Sequence, residues 1–300
     1  MHLLYFYLLS LILFLLFLSK RSRRNLPPSP WKLPLIGNFH QLGLAPHRSL
    51  RSLAQKYGPL LLLHFGQVPV LIISSAAAAR EILRTHDQKF SSRPKSRLAK
   101  RLIYDSRDVV FSPYGEHWRE ARSIGVLNLL SNRRVQSFRN VREEEAAAMI
   151  EMIRNCSSWV NLSEMFTLLS GNIVCRVVLG KKYVGEGGGR RLKVMLDRLS
   201  EFLGSLNVGE YISWLAWLNS ITGFDAKANK LAKEVDEFLT EVVEEHTNKK
   251  DRTEKGKIEN EGKQDFVDCL LDIQGDKTRP INGDITKAIT LVKLKFLIFP

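Results

Sequence analysis

Apolar and polar positions divide the chain before any motif is considered. Residues 3–18 are Leu, Ile, Phe and Tyr with Ser10 as the one polar position and no charge, close to the short limit for a membrane-spanning helix. Pro27, Pro28, Pro30 and Pro34 then fix the backbone of residues 25–38 as a stiff, extended spacer. Leu50, Leu53, Ala54 and Tyr57 recur at helical spacing and Gly58 follows in the C-cap position, so a helix is predicted over His47 to Tyr57. Leu60 to Phe65 and Val70 to Ile73 are apolar runs separated by Gly-Gln-Val-Pro, the pattern of a β-hairpin. Ser75 is placed to cap an alanine-rich helix from Ala76 to His86. The basic stretch Lys95 to Asp108 has no clear period and is read as a loop.

Beyond it the pattern is helical. Pro113 and Gly115 make a turn, and Glu116 opens a new helix where the macrodipole favours an acid. Ser131 is expected to cap one long helix through Arg154, with Val135, Phe138, Val141, Met149 and Ile153 inward. Leu162 to Leu179 is apolar nearly all round and predicts a central buried helix ended by Gly180. Gly185 to Gly189 reads as a flexible loop that lacks the spacing of a dinucleotide fingerprint. Tyr211, Trp214 and Trp217 fit both core packing and an interfacial, membrane-dipping loop. Leu231 to His246 is amphipathic, with Leu231, Val235, Phe238, Leu239 and Val242 on its apolar face. Residues 247–264 are almost wholly polar and predict disorder. Helices over Asp265 to Ile273 and from Asp284 onward complete a mainly α fold with a small β-sheet.

Charge and chemistry narrow the picture. Lys+Arg 45 against Asp+Glu 31 gives +14, which favours anionic partners such as an acidic protein or lipid headgroups. No zinc spacing, basic zipper or RNA-binding aromatic motif accompanies the charge, so nucleic acid is not expected as a partner. Cys156, Cys175 and Cys269 make no disulfide framework and suit a reducing compartment, and Cys175 is expected to pack in the core. Lys20, Arg21, Arg23 and Arg24 follow the first apolar run, and no cleavage site is visible. Residues 1–24 are therefore read as an uncleaved single-pass anchor with its basic stop, the body of the chain lying in the cytosol. On that orientation the sequons at Asn155 and Asn161 stay bare. His117 and Glu120 lie one turn apart without further ligands, and G-x-S-x-G, H-E-x-x-H and P-loop patterns do not occur. No catalytic residue and no metal ligand is assigned.

Trp118 and Arg122 are four apart and share a helix face. An indole N–H and a guanidinium aimed together suit a carboxylate or phosphate, though an ordinary amphipathic helix has the same spacing. The surrounding Phe-Ser-Pro-Tyr-Gly-x-x-Trp-Arg-x-x-Arg-Ser, followed by Leu-Asn-Leu-Leu-Ser-Asn-Arg-Arg-Val-Gln-Ser-Phe, resembles the C-helix region of plant A-type cytochromes P450. The resemblance implies haem as cofactor, with Trp118, Arg122 and Arg93 holding its carboxylates. It likewise implies a proline hinge over 25–38, the N-terminal part of the cytochrome P450 fold over 39–300, and an endoplasmic reticulum membrane location. It further implies a haem monooxygenase that oxidises a small specialised-metabolite substrate with O2, taking electrons from NADPH-cytochrome P450 reductase, an acidic partner received on Arg119, Arg133, Arg134 and Arg139. The acid–Thr and cysteine-loop motifs are absent from these residues, no E-x-x-R follows the helix that begins at Asp284, and none of the three cysteines has the axial-ligand context. The chain as written is accordingly expected to be inactive; the other reading is a non-catalytic, truncated membrane-anchored protein that keeps a partner-binding surface.

Overall fold

The proline segment is laid along the edge of a two-stranded sheet. The computed structural model describes Tyr5, Ser10, Ile12 and residues 26–128, 131–157, 159–182, 188–205, 207–254, 264–275 and 282–298. Apart from the first three residues, the expected anchor and its basic stop lie outside the described residues. The chain divides into two units, Met1–His86 and Asp87–Pro300.

In the first unit, α1 (Pro46–Tyr57), β1 (Leu60–Phe65), β2 (Val68–Ile73) and α2 (Ala76–Arg80) follow in order. The strands pair antiparallel from Leu60↔Ile73 to Phe65↔Val68. Leu50, Leu53 and Ala54 of α1 pack on Leu61 and Leu63 of β1. Ser75 caps α2 by accepting from the Ala78 amide, but α2 passes into a π-turn over Glu81–Thr85 rather than running on to His86 as an α-helix. Before the strands, the Leu62 amide donates to the Pro28 carbonyl at 2.9 Å. Asn38 is fully buried and accepts from the His64 amide at 2.8 Å while donating to Trp31 O at 3.1 Å. Gly37 has φ +65, and a Cβ there would collide with the His64 carbonyl, so only glycine fits this approach.

The second unit carries α3 (Arg97–Leu102), α4 (Glu116–Asn128), α5 (Asn132–Ser137), α6 (Arg139–Asn155), α7 (Leu162–Leu179), α8 (Gly188–Gly204), α9 (Phe224–Glu254), α10 (Phe266–Gly275) and α11 (Gly283–Ile298). Its core forms where α9 supplies Leu231, Val235, Leu239 and Val242 against Cys175, Val178 and Leu179 of α7 and Ala288, Ile289 and Leu291 of α11. The apolar face expected for α9 is the one buried, and Cys175 packs as expected. Leu192, Met195, Leu196 and Leu199 add the buried face of α8, a helix that the sequence reading passes over despite their i, i+3, i+4, i+7 spacing.

Several expectations change. Lys95 to Asp108 is not all loop: Ser96 caps α3, whose Leu98, Ala99 and Leu102 are buried. The helix expected from Ser131 to Arg154 breaks at Phe138. The break rotates the faces, so Phe138 is buried but Val135 is 41% exposed. Only the second half of α7 is core, because Leu162 and Phe166 are more than half exposed. Among the described residues α7 is also long and apolar enough to cross a membrane, but its buried half belongs to the core just described. α9 continues to Glu254, so residues 247–254 of the segment expected to be disordered are helical, while 255–263 lie outside the described residues. Trp214 and Trp217 are over half exposed, which removes core packing as their explanation.

A buried histidine ties α9 to α10. His246 Nε2 lies 2.9 Å from Asp265 Oδ2 and Nδ1 lies 2.7 Å from the Val242 carbonyl. With both ring nitrogens facing acceptors, the imidazolium form satisfies the geometry. Burial disfavours that charge, but the hydrogen bond and charge of Asp265, with the Val242 carbonyl, outweigh it and raise the group above its ordinary value. Its contribution to stability is therefore complete below the unfolded value of about 6.5 and is lost as pH rises through the folded one. The urea midpoint is expected to fall as pH rises above the unfolded value of about 6.5, and His246→Gln to flatten that slope. A slope unchanged by the substitution would reject the assignment.

Candidate functional site

Two consecutive peptide units between Val109 and Phe111 are held at both ends. The Val109 carbonyl accepts from Trp118 Nε1 at 2.9 Å, and the Val110 carbonyl accepts from Arg93 Nε at 3.1 Å. On the opposite side the Val110 and Phe111 amides both donate to Asp108 Oδ1, at 2.5 and 3.0 Å. One residue earlier, His117 Nε2 donates to the Arg107 carbonyl at 3.2 Å. α4 positions Trp118 and His117 because Glu116 opens it after the Pro113–Gly115 turn. Arg93 arrives from the segment before α3.

Arg122, one turn along α4, stacks its guanidinium 5.0 Å from the centre of the Trp118 ring. It is exposed and makes no hydrogen bond or ion pair among the described residues. The structure thus brings two of the sequence-predicted residues, Trp118 and Arg93, to consecutive carbonyls of one segment, while Arg122 contacts the Trp118 ring rather than the segment.

The segment is under tension. Tyr104, Asp105 and Ser106 have φ of 43°, 59° and 59°, three successive non-glycine residues in the left-handed region, each costing about 1–2 kcal/mol. A polar lock holds them: Tyr104 Oη donates to Asp236 Oδ1 at 2.8 Å, and Lys287 Nζ reaches the same oxygen at 2.8 Å. Burial pushes the Tyr104 phenol well above its usual range, and the Asp236 hydrogen bond adds to it. Asp108 is fully buried, and its Oδ2 has no hydrogen-bond partner among the described residues. Burial raises its carboxyl above the usual range against the pull of its backbone donors and His117. Beside this loop lies a cleft of about 560 Å³ lined by Lys95, Lys100, Arg107, Phe111, His117 and Ile285, among others. Asp108 and Tyr104 escape sequence reading because their roles come from burial and from partners far along the chain.

Comparison with known proteins settles the family. Residues 27–292 match the Cytochrome P450 family model. This chain belongs to the cytochrome P450 family. It is 54% identical over 271 residues to Cytochrome P450 736A117 of Prunus mume, covering 88% of this chain and 51% of that protein. It is 50% identical to norfluorocurarine oxidase of a Strychnos species, over 95% of this chain and 59% of that one. Identity to tabersonine/lochnericine 19-hydroxylase of Catharanthus roseus is 48%, over 90% and 54% respectively. The chain spans about half the length of these relatives.

Haem is the cofactor of a cytochrome P450, and the donor set fits its carboxylate edge. An indole N–H and two guanidinium groups are donors only, and two of them already bind oxygens of neighbouring carbonyls. An axial thiolate is a different matter. Cys175 is sealed in the core. Burial raises the Cys269 thiol above its usual value despite the nearby Arg134, which disfavours the thiolate. Cys156 is exposed just after α6. Among the described residues His246, Asp265 and Asp268 have ligand atoms within 4.8 Å of one another. Both His246 nitrogens are committed, however, and Asp265 and Asp268 accept from each other's amides as a helix cap, so the cluster is structural. Of the basic residues expected to receive a partner, Arg134 is instead part-buried against the Gln264 and Asp265 carbonyls and Cys269. Arg139 pairs with Glu143 at 2.6 Å. Arg119 and Arg133 are exposed.

Proposed function

We propose that this chain is the N-terminal part of a membrane-anchored haem monooxygenase. Residues 1–24 anchor it to the endoplasmic reticulum, 25–38 join anchor to body, and the rest belongs to the cytosolic haem domain. The observation that carries the reading is that Trp118 and Arg93 bind consecutive carbonyls of one segment, with Arg122 stacked on Trp118, inside a match covering residues 27–292. Haem would supply oxygen activation. The chain's own residues bind and orient its carboxylate edge, and Arg107, Phe111 and Ile285 shape the adjoining cleft for a small substrate. Two relatives are named for oxidising norfluorocurarine and for hydroxylating tabersonine or lochnericine, which supports a small specialised metabolite here. Arg119 and Arg133 remain as exposed charges for a reductase.

Reduced, carbon-monoxide difference spectra test the proposal. The 300 residues expressed alone, with haem supplied, are expected to show no thiolate-type band, because Cys175 is sealed in the core, burial raises the Cys269 thiol and Cys156 lies exposed just after α6. A chimera joining them to the part of norfluorocurarine oxidase that they do not span is expected to show that band. With reductase and NADPH it should place one atom of labelled O2 in a product. A thiolate band from the 300 residues that vanishes on replacing Cys156, Cys175 or Cys269 would overturn the first expectation. A chimera that folds without binding haem would overturn the function.

A further inference from the structure

We propose that residues 107–111 form a strap that occupies the carboxylate donors of Trp118 and Arg93 and is displaced when a carboxylate ligand takes them. The inference rests on the haem reading for the identity of the ligand and on the loop geometry for everything else. Each of the two central peptide units is fixed twice, its carbonyl by a side-chain donor and its amide by Asp108 Oδ1. Releasing the carbonyl side leaves the amide side alone to define the loop. A carboxylate is the stronger acceptor, since hydrogen bonds between guanidinium and carboxylate are charge-assisted and those to a neutral carbonyl are only half so. Arg122, exposed on the Trp118 ring with no hydrogen bond among the described residues, adds a positive charge beside the Trp118 donor.

Two features poise the strap to move once its carbonyls are freed. The left-handed turn over Tyr104 to Ser106 lies directly before it and keeps strained backbone beside the strap. Asp108 Oδ2, buried without a partner among the described residues, gains solvent when the segment lifts. Arg107 and Phe111 at the two ends of the strap both line the cleft. Filling the carboxylate site and opening the cleft are therefore one event.

Hydrogen exchange at the Val110 and Phe111 amides reads the strap without any turnover. The probes are metal-free protoporphyrin IX, which carries two carboxylates, and its dimethyl ester, which carries none, added to the 300-residue chain. Protoporphyrin IX is expected to reduce protection of both amides by roughly tenfold, the loss of about one net hydrogen bond, and the ester to leave it unchanged. Without ligand, Trp118→Phe and Arg93→Gln should each loosen the same amides; Arg93 is exposed, so its variant keeps the fold. Protection that survives both substitutions would overturn the strap. Protoporphyrin IX that binds without loosening the amides, or does not bind, would overturn the displacement, while the thiolate spectrum of the chimera judges the haem reading separately.

Discussion

Arg176→Met is expected to destabilise the second unit by about 3 kcal/mol, the lower end of what removing one partner of a buried ion pair does. Glu145 on α6 is only 3% exposed. Its Oε1 accepts from Arg176 of α7 at 2.7 Å and from Lys182 at 2.9 Å, while Arg176 also reaches Glu144 at 2.6 Å. Burial pushes the Glu145 carboxyl up, but the hydrogen bonds of Lys182 and Arg176 outweigh it and hold it below its ordinary value. Removing Arg176 leaves a buried carboxylate with one half-exposed lysine. Lys182 sits at the rim and is the reason the loss falls at the low end. Chemical denaturation of the single and double variants gives the test. Adding Glu145→Leu to Arg176→Met should recover most of the loss, because an apolar pair of similar volume has no charge to strand. If the double variant is as unstable as the single one, the network is not what fixes α6 on α7.

Gly180→Ala is expected to lower stability by a similar amount, about 2–4 kcal/mol, from two additive sources. Gly180 ends α7 in the left-handed region, with φ of 68°, where alanine is strained by about 1–2 kcal/mol. A Cβ at this position would also collide with Asp265 Oδ2, the same oxygen that meets His246. Moving Asp265 disturbs the cap of α10 and the buried pair together. The two sources separate by experiment. Gly180→Ala should lose the alkaline destabilisation that His246 confers, whereas a variant affected by backbone strain alone would keep the parent's pH dependence at lower overall stability.

Local signals made much of the fold legible. Gly58 and Gly180 announced helix ends, Ser75 and Ser131 announced starts, and the spacing of Leu231, Val235, Leu239 and Val242 gave the core face of α9. What escaped has a common cause. The break at Phe138, the exposure of Val135 and the burial of Glu145 depend on which helix lies opposite, and α7 with its Arg176 is over thirty residues away from Glu145. α8 carries a readable period, but its first two residues, Gly188 and Gly189, are poor helix formers and blur its start. At the site, Trp118 and Arg122 were legible as donors on one face, and the family resemblance implied a haem carboxylate as their ligand. That Trp118 and Arg93 bind consecutive carbonyls was not, since no sequence spacing relates Arg93 to Val110 and Trp118 to Val109 at once.

The stitching of the proline segment to β1 bears on how force and orientation pass along the chain. A string of prolines after an anchor suggests a swivel. Here Pro28 O, Trp31 O and Gly37 are bonded to Leu62, Asn38 and β1 respectively, so from Pro28 onward the segment turns with the hairpin. Any joint between a preceding segment and the sheet is thus shorter than the proline run, because Pro28 to Gly37 already belong to the hairpin's bonded frame.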